Sequence, residues 1–312
     1  MKEELRCGVV LVICLALIPC LVFLGKTEEQ GGGFTVGVYL TKEDRVEEYT
    51  LDEYVTGAVL AQMPADFCEE ALKAQAVLAR TYILRRYESE QDKPDPALHG
   101  ALISDDANVC QSFFSPSQAE AFYGADYAKA RKRAEKAVRE AGEILTCNGE
   151  PVICAYHTAS SGHTESALTA WGQDIPYLQA VESGGDSRLE GLESRLELSA
   201  EEFTDIAQKL GAKGKWGADD PISAETNERG YVTELRLFGT KVNVQKFVSL
   251  AGLASPCFEF EAGEKSIDFT AKGYGHLVGM SQYGANAMAE EGASYKEILA
   301  HYFQGAELKN FS

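Results

Sequence analysis

Residues 51–87 read LDEYVTGAVLAQMPADFCEEALKAQAVLARTYILRRY, and this stretch decides the fold. Pro64 divides it into two helices, because proline lacks an N–H to donate and clashes with the turn before it. The first is expected over about Leu51 to Gln62 and is short and mostly apolar. The second is expected to start after Asp66, whose carboxylate can accept from the free N–H groups of a first turn. Glu69 and Glu70 then lie at the positive end of the helix dipole, and Arg85 and Arg86 at the negative end. Leu72, Ala76, Ala79 and Ile83 recur every three or four residues, which predicts one buried stripe. Lys73 and Arg80 share another face, with the two glutamates one turn before the lysine.

Working outward, Phe34 to Leu40 alternates apolar and small or polar residues and predicts a first strand. Residues 88–108 carry Pro94, Pro96 and Gly100 and read as a loop. Ala119 to Ala141 is rich in good helix formers and stops at Gly142. Glu143–Cys147 and Pro151–Tyr156 form two strands about Asn148-Gly149, a strong hairpin signal. Ser199 and Glu202 have capping-box spacing and start a helix within Leu198–Leu210. Tyr231–Phe238 and Lys241–Val244 make a second hairpin about Gly239-Thr240, followed by a short helix at Gln245–Ala251. Residues of about 190–262 are therefore expected to be an inserted subdomain with packing duties. Helices over Asn286–Gly292 and Tyr295–Gln304 end the chain near Gly305. The fold class is α+β, with helices and antiparallel strands in one domain over residues 35–312.

Composition narrows the partners. Asp plus Glu (48) outnumber Lys plus Arg (29), for a formal net charge of −19. No basic cluster could neutralise phosphates, which excludes nucleic acid. Residues 8–24, GVVLVICLALIPCLVFL, are uncharged and apolar, between Lys2 and Arg6 on one side and Lys26 on the other. That length is at the lower limit for a spanning helix, and no A-x-A cleavage pattern follows it. The reading is a cytoplasmic tail (1–7), an uncleaved single-pass anchor (8–24), a glycine-bearing linker (25–34) and an extracytoplasmic domain. Cys7, Cys14 and Cys20 lie in or beside the anchor. Cys68, Cys110, Cys147, Cys154 and Cys257 have no repeated spacing, and their odd number leaves at least one thiol outside any intrachain disulfide.

Three further stretches carry chemistry. Cys110-Gln111-Ser112-Phe113 places a cysteine within reach of only one nearby histidine, His99, and two ligands fall short of a tetrahedral zinc site. No cofactor is expected. A cysteine peptidase using Cys110 with His157, His163 or His276 lacks any local mark of an activated thiol. His157-Thr-Ala-Ser-Ser-Gly-His-Thr164 is rich in small hydroxyl residues, so Ser160, Ser161 and Thr164 could hydrogen-bond a sugar rim. Trp171 and Tyr177 offer aromatic faces to pyranose rings. Gly273-Tyr-Gly-His-Leu-Val-Gly-Met-Ser-Gln-Tyr-Gly-Ala285 combines tight-turning glycines with the donors and acceptors of His276, Ser281, Gln282 and Tyr283.

The wording Y-V-x-G-x-V-x-x-x-M-P, then E-A-L-K-A-Q-A-V-x-A-R-T-Y, resembles the stage II sporulation protein D family, a pattern shared with amidase-enhancer proteins. The C-Q-S-F stretch, the serine-glycine loop, Ile175-Pro-Tyr-Leu178 and residues 273–285 extend the likeness to about residues 35–312. The resemblance implies a membrane-anchored lytic transglycosylase that cuts peptidoglycan glycan strands at the sporulation septum during engulfment. It also implies a cell-wall amidase and a membrane protein of the same machinery as partners. It places Lys73, Arg80, Tyr177 and Asp186 among the active-site groups, and some relatives bind zinc near the C-Q motif. Three departures stand out. The family glutamate before M-P, its acid/base, is Gln62; a lysine is Gln179; and a glycine in the last motif is Leu277.

A lytic transglycosylase needs one carboxyl group to protonate the leaving glycosidic oxygen and then act as base while the muramic acid 6-hydroxyl closes a 1,6-anhydro ring. No second carboxylate is obligatory, unlike the two-carboxylate hydrolases. Glutamine does not titrate in a useful range. Glu53 falls nearly opposite Gln62 on a helical wheel, Asp66 lies across the Pro64 break, Glu69 and Glu70 sit beside Lys73, and Asp186 is a separate candidate. Two readings follow: an enzyme with a substitute acid, or a glycan-binding scaffold that positions other wall enzymes.

Overall fold

The computed structural model describes residues 34–90, 95–107, 109–217 and 221–311. The expected tail, anchor and nearly all of the linker lie outside the described residues. Among the described residues no helix is long and apolar enough to cross a membrane.

Strands β1 (Thr35–Leu40) and β2 (Arg45–Thr50) are the first described elements. Helix α1 (Leu51–Gln62) follows, with the ends the sequence predicts. Its start is fixed by a capping box in which Thr50 and Glu53 satisfy each other's backbone N–H groups. Its end is fixed by Pro64, which forces Met63 out of helical geometry. Helix α2 (Glu69–Glu90) starts later than expected from Asp66 and runs past Arg86. The predicted stripe is buried, but so are Ala71, Ala74, Gln75, Val77 and Leu78. One stripe becomes a nearly complete jacket because α2 threads the middle of the domain.

Strand β3 (Ile103–Ser104) lies within the expected loop and pairs in parallel with β1, Val38 opposite Ile103. The single helix expected over Ala119–Ala141 is two, α3 (Pro116–Tyr123) and α4 (Tyr127–Glu140). Gly124 separates them at φ 54, a conformation helices do not use. Strands β4 (Glu143–Cys147) and β5 (Glu150–Pro151) form a hairpin at the predicted turn, with Asn148 and Gly149 both at positive φ as a primed turn requires. The second strand is two residues long rather than Pro151–Tyr156, because the chain leaves β4 after Pro151 and Tyr156 pairs with Met280 instead. Strand β6 (Tyr156–His157) and helix α5 (Ala167–Trp171) lead into the insertion.

The insertion contains β7 (Glu193–Ser199), α6 (Ala200–Lys209), β8 (Ile222–Thr226), β9 (Val232–Leu237), β10 (Thr240–Val242), α7 (Val244–Ala251), β11 (Phe258–Ala262) and β12 (Ser266–Lys272). Its strands form two antiparallel sheets, ordered β10-β9-β8 and β11-β12-β7. They enclose a separate apolar core in which Phe203, Phe247 and Phe269 are fully buried. Pairing of β7 with β12, from Ser199 opposite Ser266 to Glu193 opposite Lys272, brings both ends of this unit together.

The chain then forms β13 (Met280–Ser281), parallel to β6, and α8 (Gln282–Glu290). This helix starts four residues earlier than expected, because the Ser281 hydroxyl accepts from the Gly284 N–H and caps it. Helix α9 (Tyr295–Tyr302) is followed by β14 (Glu307–Asn310), which pairs with β4. The tail past Gly305 is thus a strand. Helix α2 touches α1, α4, β4, α8 and α9, so every motif near it meets the others there.

Candidate functional site

Gln62, the last residue of α1, stands at the convergence of three chain segments. Its Nε2 donates to the Ser112 carbonyl at 2.8 Å. Its Oε1 accepts from Gln75 Nε2 at 2.6 Å. Gln75, fully buried on α2, accepts in turn from Gln282 Nε2 over a longer 3.4 Å. Helix α1, helix α2, the C-Q-S-F stretch and the start of α8 are therefore joined by a file of three primary amides. Beside it, Gln111 accepts from Tyr54 and donates to the Tyr156 hydroxyl at 3.1 Å. The Gln62 amide meets one acceptor and one donor, the pattern a protonated carboxylic acid would also satisfy.

Asp186 holds the second half of the cluster. It is fully buried and accepts from the Ser160 N–H at 2.9 Å, the Ser160 hydroxyl at 2.5 Å and the Ser281 hydroxyl at 2.5 Å. Ser281 adjoins Gln282, so the serine-glycine loop, the Asp186 turn and the last motif meet the glutamine file. The expected sugar-rim hydroxyls are largely spent inside the protein. Ser160 is bound to Asp186, Thr164 accepts from the Val181 N–H, and Ser161 contacts the Cys257 sulfur. Tyr283 packs edge-on against Phe67, three residues past Pro64.

His276 is half-buried, with His157 and Trp171 edge-on to it at ring-centroid distances of 5.9 and 5.4 Å. Its Nδ1 accepts from the Val278 N–H at 3.0 Å, which puts the proton on Nε2. Burial lowers its pKa to about 4, against the opposing pull of the Tyr156 carbonyl. His157 is pushed down to about 3 by burial and by His276. Its Nδ1–H donates to the Val278 carbonyl, leaving a buried Nε2 lone pair without a partner among the described residues. Both rings are neutral at pH 7.

The glycines of the last motif make room for protein backbone. A Cβ on Gly279 would lie 2.1 Å from the Ala155 carbonyl oxygen, and one on Gly275 2.8 Å from the His157 Cβ. Leu277 takes the left-handed conformation (φ 64) where the resembling family has glycine. Its side chain is buried with Tyr231 and Cys257 of the insertion, and that burial offsets the backbone strain.

The other expected site residues lie apart from the glutamine file. Lys73 bridges Glu70 at 2.7 Å and Glu140 at 2.9 Å, and Glu70, then burial working against it, then Glu140 leave its pKa raised. Arg80 is buried and donates to the Ala141 and Val138 carbonyls as well as to Asp52. It caps the C-terminal end of α4, where a cation also complements the helix dipole. The Tyr177 hydroxyl accepts from the Ile153 N–H at 2.9 Å, and burial raises its pKa. Gln179 donates to the Ile175 carbonyl within its own turn.

Two elements were not singled out from sequence. Gln75 is one; a glutamine between alanines on a helix about to be buried is the signal that could have found it. The other is Glu165, which accepts from Asn227 at 2.6 Å and pairs with Arg229 at 3.0 Å, fastening the insertion to the serine-glycine loop. Burial raises the Glu165 pKa, but Arg229, the Ser166 N–H and Asn227 together hold it below the ordinary carboxylate value. Among the described residues, no group of three or more His, Cys, Asp or Glu could hold a metal ion. Cys110 instead accepts from the Ser104 N–H, and His99 stacks on Tyr39. The five described cysteines are free thiols.

The family described as Stage II sporulation protein matches residues 39–146. Stage II sporulation protein D of Bacillus amyloliquefaciens is 38% identical over 278 residues, covering 88% of this chain and 78% of that protein. The Bacillus subtilis protein of the same name is 36% identical over the same shares. The amidase enhancer of Bacillus subtilis is 26% identical, over 82% of this chain and 40% of its own length. The two Bacillus sporulation proteins match most of this chain and most of their own length, and the chain belongs to the stage II sporulation protein D family.

Proposed function

We propose that this chain is a membrane-anchored cell-wall protein of endospore formation that grips peptidoglycan glycan strands and, at position 62, lacks the proton donor needed to cut them. One observation carries the reading: the Gln62 amide is held between the Ser112 carbonyl and Gln75, with no carboxylate in the file. A carboxylate placed there would face the Ser112 carbonyl oxygen, an acceptor against an acceptor, which favours the protonated form. The pocket therefore suits a neutral acid poised to donate, and glutamine is that acid's non-ionising isostere. The likeness to an amidase enhancer supports a wall amidase, which cuts amide bonds rather than glycosidic ones, as a partner.

A second reading is favoured by one observation. A cavity of about 290 Å³ just past Pro64 is lined by Asp66, Tyr123, Asp126, Lys129 and Arg133. Tyr123 donates to the Leu60 carbonyl, placing this cavity at the end of α1, where Asp66 would be a recruited acid. The test is full-length protein in detergent with denuded glycan strands. Sedimentation with insoluble wall and no 1,6-anhydromuropeptides is the expected result. Release of those products by the wild type, abolished in Asp66→Asn, would replace the first reading with the second.

A further inference from the structure

The insertion, expected to serve packing alone, forms one wall of a cleft of about 480 Å³ against helix α5. We infer that this cleft is a distal saccharide subsite for an N-acetylated pyranose of the same glycan; the inference rests on the glycan reading above. Its size is within the range of ligand pockets, roughly 300–1,000 Å³.

The chemistry of the walls selects the ligand. Trp171 supplies an aromatic surface on one side, and its indole N–H makes no hydrogen bond among the described residues. Asn243 stands on the other side. Its Oδ1 caps α7 by accepting from the Lys246 N–H at 2.8 Å, which fixes the amide orientation. That leaves the Nδ2 group without a partner among the described residues, a donor suited to an acetamido carbonyl. Val232 and Val242 are buried in the insertion core behind the lining and keep that wall rigid. The Tyr231 hydroxyl, buried behind the lining, accepts from Gln245 at 2.6 Å and fixes that wall. Lys241, the one cation in the lining, is mostly exposed and paired to Glu234 at 2.6 Å. An anionic ligand would have to break that pair, so the neutral N-acetylglucosamine unit of the glycan fits better than a phosphate, a sulfate or the carboxylate-bearing muramic acid.

The cleft is pre-formed and adjoins the candidate site. Ala170 of α5 packs on the Tyr231–Cys257–Leu277 cluster, and Glu165–Arg229 ties the insertion down beside it. Trp171 is itself in edge contact with His276. A strand lying along the site loops has only one ring to pass before reaching the cleft.

The test is calorimetric titration of full-length protein in detergent with peptide-free N-acetylglucosamine–N-acetylmuramic acid oligosaccharides of two, four and eight sugars. Trp171→Ala and Asn243→Asp should each weaken the eight-sugar ligand at least tenfold, and Asn243→Asp, away from His276, should leave the two-sugar ligand within twofold. Aspartate preserves the helix cap, so Asn243→Asp should unfold at the wild-type temperature. Wild-type affinity for the long ligand in both variants would overturn the subsite and leave the glycan reading standing. A wild-type protein that binds none of the three lengths would overturn the glycan reading and the subsite with it.

Discussion

Two of the buried polar clusters among the described residues solve the same problem in opposite ways. At Gln62, neutral amides from distant parts of the chain satisfy one another in single file. At Glu165, a buried carboxylate is held by a guanidinium, an amide and a backbone N–H. A neutral pair can be swapped for an isostere at little cost, whereas a buried ion stripped of its partner cannot. The first cluster tolerates a change of chemistry at its centre; the second fixes where the insertion sits.

The sharpest way to break this contrast is Gln62→Glu. The glutamate is expected to fit as a neutral acid donating to the Ser112 carbonyl, and to raise release of 1,6-anhydromuropeptides by about 10²–10⁴-fold, the usual worth of a positioned general acid. Unchanged turnover, with the carboxyl titrating at the value of an exposed glutamate, would show that the file does not shape position 62. The second test lies in the other cluster. Arg229→Met leaves Glu165 buried and unpaired and should cost about 3 kcal/mol, the lower end for breaking a buried pair since Arg229 is a quarter exposed. Chemical unfolding monitored at Trp216 would read it, and a change below half that size would reduce the clamp to a surface contact.

Acid separates the clusters next. His157 and His276 bind protons less readily folded than unfolded, so the stability they contribute is complete above about pH 6.5 and declines as pH falls toward 4 and then 3. Glu165 has a lowered pKa, so its share is lost only below the ordinary carboxylate range. The thermal midpoint should therefore begin to fall near pH 6.5 in wild type and in Arg229→Met alike. A midpoint flat from pH 7 to 5 would contradict the neutral state of both rings.

Gln75→Leu should cost about 2 kcal/mol, because it strands the Gln62 oxygen and the Gln282 amide; a neutral effect would show that water replaces Gln75 freely. The smallest effect is expected of Leu277→Gly. Losing the buried leucine is worth about 2 kcal/mol, and relieving its left-handed backbone returns about 1. A net stabilisation would mean that the cluster with Tyr231 and Cys257 holds the insertion weakly.

Much of the frame is legible in the chain. The ends of α1 follow from Thr50, Glu53 and Pro64, the turn at Asn148-Gly149 from its dipeptide, and the cap of α6 from Ser199 and Glu202. Local physics governs all three. The break at Gly124 was missed because alanine, lysine and glutamate on either side outweigh one glycine in a propensity reading. Phe258-Glu259-Phe260-Glu261 alternates like a strand, but its role depends on β12, which in turn needs β7 more than 60 residues away in sequence. The site shows the same division. The wording of the motifs marks position 62, yet its partners lie 13 and 50 residues off, and the next amide in the file 207 beyond Gln75. Such partners are assigned only when α2 threads the domain.

Arg80 carries a warning for genetics. Its guanidinium closes the end of α4 through the Ala141 and Val138 carbonyls, so replacing it frays a helix before it touches any sugar. A screen that scores sporulation alone would rank such an allele beside true active-site lesions, and only a measurement of folded protein in the same cells would tell injury to the scaffold from injury to the chemistry.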